Sequence, residues 1–143
     1  MVELIDNKEV VRRFAEEVIN ERDTDAAGEF LAEDIADSTP FGETSGRDAV
    51  VETMRTIWTA FPDFAVTLEE VIAEGETVAV RMIQRGTHDG PFMGIEPTGR
   101  SFEIEAMGFA RLESGKVVER RANPDLLGLF QQLGIEELPA TGA

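Results

Sequence analysis

Phe102-Glu103-Ile104-Glu105-Ala106-Met107-Gly108-Phe109-Ala110-Arg111-Leu112 sets Phe102, Ile104, Ala106, Gly108, Ala110 and Leu112 on alternate positions. A period of two over eleven residues specifies a half-buried strand, because successive side chains leave opposite faces of the backbone. Ser114-Gly115 then supplies a tight turn, and Val117 and Val118 bring the chain back as a hairpin. Upstream, Phe64, Val66 and Leu68 alternate ahead of Val71 and Ile72, and Gly75 turns the chain into a further strand over Thr77 to Gly86.

Before Phe64 the period is that of a helix. Val10, Val11, Phe14, Val18 and Ile19 follow Asp6 and Asn7, either of which can cap, and predict a helix over residues 7–21. A shorter helix is expected from Asp25 to Leu31, and Asp34 to Pro40 reads as a short strand entering a loop. Ser45 and Asp48 form a capping-box variant ahead of Val50, Val51, Met54, Ile57, Trp58 and Phe61, and Pro62 ends that third helix. At the other end, Asn123 is the expected N-cap and Pro124 the first residue of a last helix carrying Leu126, Leu127, Phe130 and Leu133, with Gly134 as its stop. Three long strands following three helices give an α+β fold: a curved antiparallel sheet with helices packed on one side. Residues 1–135 are expected to be one domain and 136–143 a tail.

The four glycines and two prolines between Gly86 and Gly99 interrupt the strand pattern and surround His88, the only histidine. A long connection with fixed turns is expected there, of a kind that often carries function.

Composition narrows the chemistry. There is no cysteine and one histidine, so neither a disulfide framework, a thiolate nucleophile nor a histidine-rich metal centre can be built, and no metal is expected. The charge of −16, from 29 acids and 13 bases, argues against nucleic acid as a partner, because phosphate binding needs a basic face. Such acidity suits a solvated surface, and also suits a cytoplasm rich in salt, where screening relieves self-repulsion. No stretch reaches the length of an apolar membrane span and the first residues lack a basic leader, so a soluble cytoplasmic protein with no membrane partner is expected.

Three segments, in this order and spacing, carry a resemblance: Phe61-Pro62-Asp63-Phe64, the Gly86-Thr87-His88 to Pro97-Thr98-Gly99 loop, and Asn123-Pro124-Asp125-Leu126-Leu127-Gly128-Leu129-Phe130-Gln131-Gln132-Leu133-Gly134. Together they resemble the SnoaL-like polyketide cyclases of the nuclear transport factor 2-like superfamily over about residues 8–134. The resemblance implies a cone-shaped domain enclosing a pocket, a homodimer or tetramer, and aldol ring closure on a small hydrophobic ester or acid without a cofactor. It places the acid/base role on Asp125, with His88 as the other polar group of the pocket.

Removing a proton beside a carbonyl needs a carboxylate tuned by burial and a donor for the enolate oxygen. His88, Asn123 and Trp58 are the candidate donors, and Phe92, Met93, Met107, Phe109 and Phe130 the candidate lining. Each has a plainer reading. Asp125 can serve the dipole of the last helix, His88 can be a satisfied loop residue, Asp63 a turn residue, and the apolar groups core.

Two positions depart from the family pattern. Glu119-Arg120-Arg121 stands where an aromatic commonly follows the glutamate, and Asp37-Ser38 stands where a histidine commonly follows the aspartate. Neighbouring strand residues face opposite ways, so one of Arg120 and Arg121 points inward, and Arg121 is counted among the pocket candidates. An inward arginine favours an anionic ligand. The alternatives to an enzyme are a noncatalytic small-molecule binder and a dimeric interaction module. Ketosteroid isomerase and limonene-type epoxide hydrolase chemistry both rely on a tyrosine, and the chain has none.

Overall fold

Asp6 opens the first helix, its carboxylate accepting from the Lys8 and Glu9 amides. In the computed structural model, which describes residues 6–137, this helix α1 (Asn7–Arg13) runs on as a π-helical stretch, Phe14–Asn20, that buries Phe14, Ala15 and Val18. The expected second helix is a 3₁₀ turn, Thr24–Ala26, followed by α2 (Ala27–Phe30). Leu31 belongs to strand β1 (Leu31–Thr39), which pairs with a short β2 (Gly42–Ser45) and leads to α3 (Arg47–Ala60). Strands β3 (Ala65–Glu74), β4 (Thr77–Thr87), β5 (Ser101–Glu113) and β6 (Lys116–Pro124) follow, then α4 (Leu126–Leu133).

The six strands form one sheet in the order β2-β1-β6-β5-β4-β3. Four pairings are antiparallel, and β1 with β6 is parallel. That pair joins the first strand to the last, so its connection carries α3 and the whole meander, the length a parallel crossover requires. Register shifts at Glu69 in β3 and at Val118 in β6, opposite Arg111 and Leu112, are bulges, which bend strands and curve the sheet around its helix-covered face. Helices α1 and α3 pack over β3, β4 and β1, and α4 over β5.

Two capping expectations are corrected. Ser45 is held in the β2 ladder opposite Ala36, so the residue before α3 is Gly46 and no side chain caps that helix. Asn123 and Pro124 are likewise the end of β6, opposite Met107 and Ala106, and Asp125 is the cap of α4. In both cases ladder pairing took the residues that local capping chemistry claimed. Of the expected tail, residues 138–143 lie outside the described residues.

The burial of β5 alternates without a break over thirteen residues, as its sequence requires. Its inner residues join a core that falls into two clusters, one around Phe14, Val18, Phe30, Leu31 and Trp58, the other around Phe61, Phe92, Phe102 and Phe130.

Candidate functional site

Between the sheet and its helices lies a cavity of about 360 Å³. Its walls are apolar, with Phe14 from the π-helical turn, Met54 and Trp58 from α3, Phe92 from the loop, Ile104 from β5 and Leu129 from α4. A volume of this order suits a small organic ligand. Among the described lining residues, only Asp37, Glu43, Arg120 and Arg121 are charged.

Asp37 and Arg120 are register partners across the parallel β1/β6 pair and share its inner side. Arg120 donates from Nε to Asp37 Oδ1 at 2.7 Å and from Nη2 to Oδ2 at 3.2 Å. Asp37 is 3% exposed, whereas the Arg120 side chain keeps 22% of its surface accessible and its guanidinium lies 5.6 Å from the centre of the Phe14 ring. Arg120 is therefore the inward arginine. Arg121 borders the cavity but is largely exposed on the other side, 3.7 Å from Glu119.

The remaining candidates separate into several places. Trp58 and Phe92 line the cavity. Phe130 is buried in the second core cluster rather than at the cavity wall, and Met93 packs against that cluster. Met93 and Gly94, both with positive φ, form the turn of a small bridge between Phe92 and Ile95. Met107 and Phe109 alternate onto the outer face of β5, 52% and 59% exposed, although Phe109 also touches the cavity border. Asn123 is exposed beside them, opposite Met107.

His88 is fully buried beneath the loop and is not part of the cavity wall. Its Nδ1 accepts from the Thr98 amide at 3.2 Å and lies 3.1 Å from Thr98 Oγ1, which makes Nε2 the protonated nitrogen; Nε2 has no hydrogen-bond partner among the described residues. Burial pushes the imidazole pKa down, with the Gly90 carbonyl and Asp89 opposing, so the ring is neutral at physiological pH. Around it the loop is tied on both sides: His88 N donates to Arg100 O, Gly99 N to His88 O, and the Asp89 and Gly90 amides to Ala60 O at the end of α3. Only glycine fits at position 90, since a Cβ would stand 2.0 Å from the Thr59 carbonyl oxygen. Asp63 adds a second clasp, accepting from the Thr87 amide and hydroxyl at 2.6 and 2.7 Å. Partial burial pushes its carboxyl up, but these two bonds and nearby Arg22 bring it below the usual range.

Asp125 is exposed, and its Oδ1 accepts from Gly128 N at 2.9 Å as the cap of α4. Gly128 is what permits this pose, because a Cβ there would stand 2.3 Å from Asp125 Oδ2. The residues flanking Asp125, Pro124 and Leu126, both line the cavity, while Asp125 itself does not. Asp125 and His88 are thus not brought together.

The sequence profile of the SnoaL-like polyketide cyclases matches residues 9–133, which span the whole sheet, the loop and α4. The chain belongs to the SnoaL-like polyketide cyclase family. Two curated relatives agree. Aklanonic acid methyl ester cyclase DauD from Streptomyces sp. (strain C5) is 31% identical over 131 residues, covering 88% of this chain and 80% of that protein. Nogalonic acid methyl ester cyclase from Streptomyces nogalater is 30% identical over 115 residues, covering 78% of this chain and 85% of that protein. Among solved structures, wild-type IdmH from Streptomyces antibioticus superposes with a TM-score of 0.80 at 28% identity, over 90% of this chain and 98% of that one. These likenesses support the cone-shaped α+β fold, and the relatives' names point to catalysis. No described helix is long and apolar enough to cross a membrane.

Sequence reasoning missed the partnership of Asp37 with Arg120. The signal was present as alternation: Ile35 and Asp37 share one face of β1, as Arg120 and Ala122 share one face of β6. What local pattern lacked was the parallel pairing that sets the two faces side by side.

Proposed function

We propose that the protein is a cyclase-type enzyme that removes a proton beside a carbonyl of a largely apolar small molecule and closes a ring by aldol-type addition. The enolate carbon adds to a second carbonyl carbon, forming the carbon–carbon bond, and the resulting alkoxide takes the proton back. The observation that carries this reading is the apolar cavity itself, in a chain that matches the cyclase family nearly end to end. Asp125 is the proposed acid/base group, a carboxylate fixed on the Gly128 amide between two residues of the cavity wall. His88 acts at a distance in this reading, holding the loop that contributes Phe92 to the wall.

The test is conversion of aklanonic acid methyl ester, followed by liquid chromatography with mass detection. Positioned proton transfer contributes about 10²–10⁴ in rate, so Asp125→Asn is expected to lose at least about 100-fold in kcat. A fully active Asp125→Asn overturns the assignment of the base, and a ligand that binds but is recovered unchanged favours the second reading, a noncatalytic binder. That reading draws on a specific observation, the absence of both Asp125 and His88 from the cavity wall.

We also infer self-association through the outer sheet face. Ile72, Met107 and Phe109 are exposed there among the pairs Arg81–Glu70, Arg81–Glu105 and Arg121–Glu119, a mixed-charge patch on an otherwise acidic molecule. A second copy of the same face complements it in charge and in apolar area. Light scattering that finds Phe109→Glu monomeric and wild type dimeric or tetrameric supports this, and a monomeric wild type contradicts it.

A further inference from the structure

Asp37 and Arg120 lie 83 residues apart and meet only because β1 and β6 pair in parallel. Their pairing is asymmetric. The carboxylate is shut away with Arg120 as its one hydrogen-bonding partner among the described residues, while the guanidinium stays partly open to the cavity. A guanidinium has five N–H donors, and Asp37 occupies Nε and one position on Nη2. The remaining donors, including both on Nη1, have no acceptor among the described residues. Toward a ligand, this wall therefore offers donors and withholds its acceptors.

Stability does not account for the pair. An ion pair buried in an apolar wall is commonly matched or bettered by apolar residues of similar volume, because desolvation offsets the attraction. The guanidinium also lies within cation–π distance of the Phe14 ring, 5.6 Å from its centre. Charge-assisted hydrogen bonds are roughly twice as strong as neutral ones, so donors fixed in an apolar cavity select an oxygen that carries charge. Among the described lining residues no other charged donor competes for that role: the Arg121 side chain is largely exposed beside Glu119, and Glu43, the remaining charged residue, is an exposed acid. The net charge of −16 repels anions from the molecule at large, so a preference for one must arise locally.

We propose that Arg120, clamped along one edge by Asp37, anchors an acidic oxygen group of the ligand, so that the cavity takes an apolar molecule bearing a carboxylate or an ionised 1,3-dicarbonyl. The two groups share the chemistry of a planar anion whose charge is spread over two oxygens. The inference rests on the reading of the cavity as a ligand site and adds the class of ligand.

Trp58 is the only tryptophan and lines the cavity, so its fluorescence reports binding without any turnover. Three compounds serve as test ligands: 4-tert-butylbenzoate, its methyl ester, and 5-phenylcyclohexane-1,3-dione, which is ionised at neutral pH. Wild type is expected to bind at least one of the two anions 10-fold or more tighter than the ester, and the tighter anion identifies which source of the charge the site favours. Arg120→Met alone leaves a buried carboxylate unpaired, so the comparison uses the double variant Asp37→Leu with Arg120→Met, whose fold is checked by circular dichroism. There the preference is expected to vanish while ester affinity stays within about threefold. Ester binding as tight as the anions in wild type, or a preference that survives in a folded double variant, overturns the inference and leaves the ligand site standing. Failure of all three compounds to bind overturns the ligand-site reading and the inference with it.

Discussion

Asp37 and His88 are the two buried polar side chains among the described residues, and they are buried to different ends. His88 is held by Thr98, ten residues away, inside a loop that is also tied to Arg100 and to the end of α3. Asp37 is held by Arg120 across the sheet, and its partner faces an open cavity. One polar group fastens the wall; the other helps form its inner surface. Burial of a polar group marks a constraint, and the accessible atoms of its partner decide whether the constraint serves folding or binding.

The largest effect is expected from breaking the cavity pair on one side. Arg120→Met should cost about 3–5 kcal/mol in urea unfolding, the usual penalty for a buried charge left alone, and adding Asp37→Leu should recover most of it. His88→Ala should cost about 2–4 kcal/mol through lost packing and the orphaned Thr98 amide, yet lower the affinity of anionic cavity ligands far less than loss of Arg120 does. A matching loss of affinity would erase the distinction between the two sites.

His88 also predicts a pH dependence. Its folded pKa lies below its unfolded value, so the unfolded chain binds the extra proton first; its contribution to stability is complete above about pH 6.5 and declines as pH falls below that. Urea midpoints measured for wild type and His88→Ala across this range should converge on acidification.

The smallest stability effect sharpens the contrast from a third place. Gly128→Ala gains about 1 kcal/mol of helix propensity and loses a cap of similar worth, so stability should hardly move. Displacing the Asp125 carboxylate should nevertheless lower kcat, if turnover uses its present pose. Unaltered kcat would leave Asp125 with capping alone.

Much of the fold was legible in residue order. The alternation of β5, the Ser114-Gly115 turn and the apolar spacing of α1 and α3 each specify their element from neighbours a few positions away. The errors fall where a distant strand overrides a local signal. Ser45 and Asn123 look like caps and are ladder residues, because β1 and β5 supply backbone partners that short-range patterns do not contain. The β1/β6 pairing is the most remote contact of this kind, and with it went the identity of the inward arginine. Met107 shows the converse case: the alternation that placed Phe102 and Ile104 inside also placed it outside, off the cavity wall, whereas Phe109 on the same outer face still reaches the cavity border.

The central claim is that ligand is received at the Asp37–Arg120 wall of the cavity, while the loop around His88 only fastens it. The most direct measurement is a crystal structure of the protein with 4-tert-butylbenzoate. The account predicts the ring among Phe14, Met54 and Trp58, with a carboxylate oxygen within about 3 Å of an Arg120 nitrogen, the range of a charge-assisted hydrogen bond. A ligand seated beneath the His88 loop, with Arg120 untouched, would contradict it.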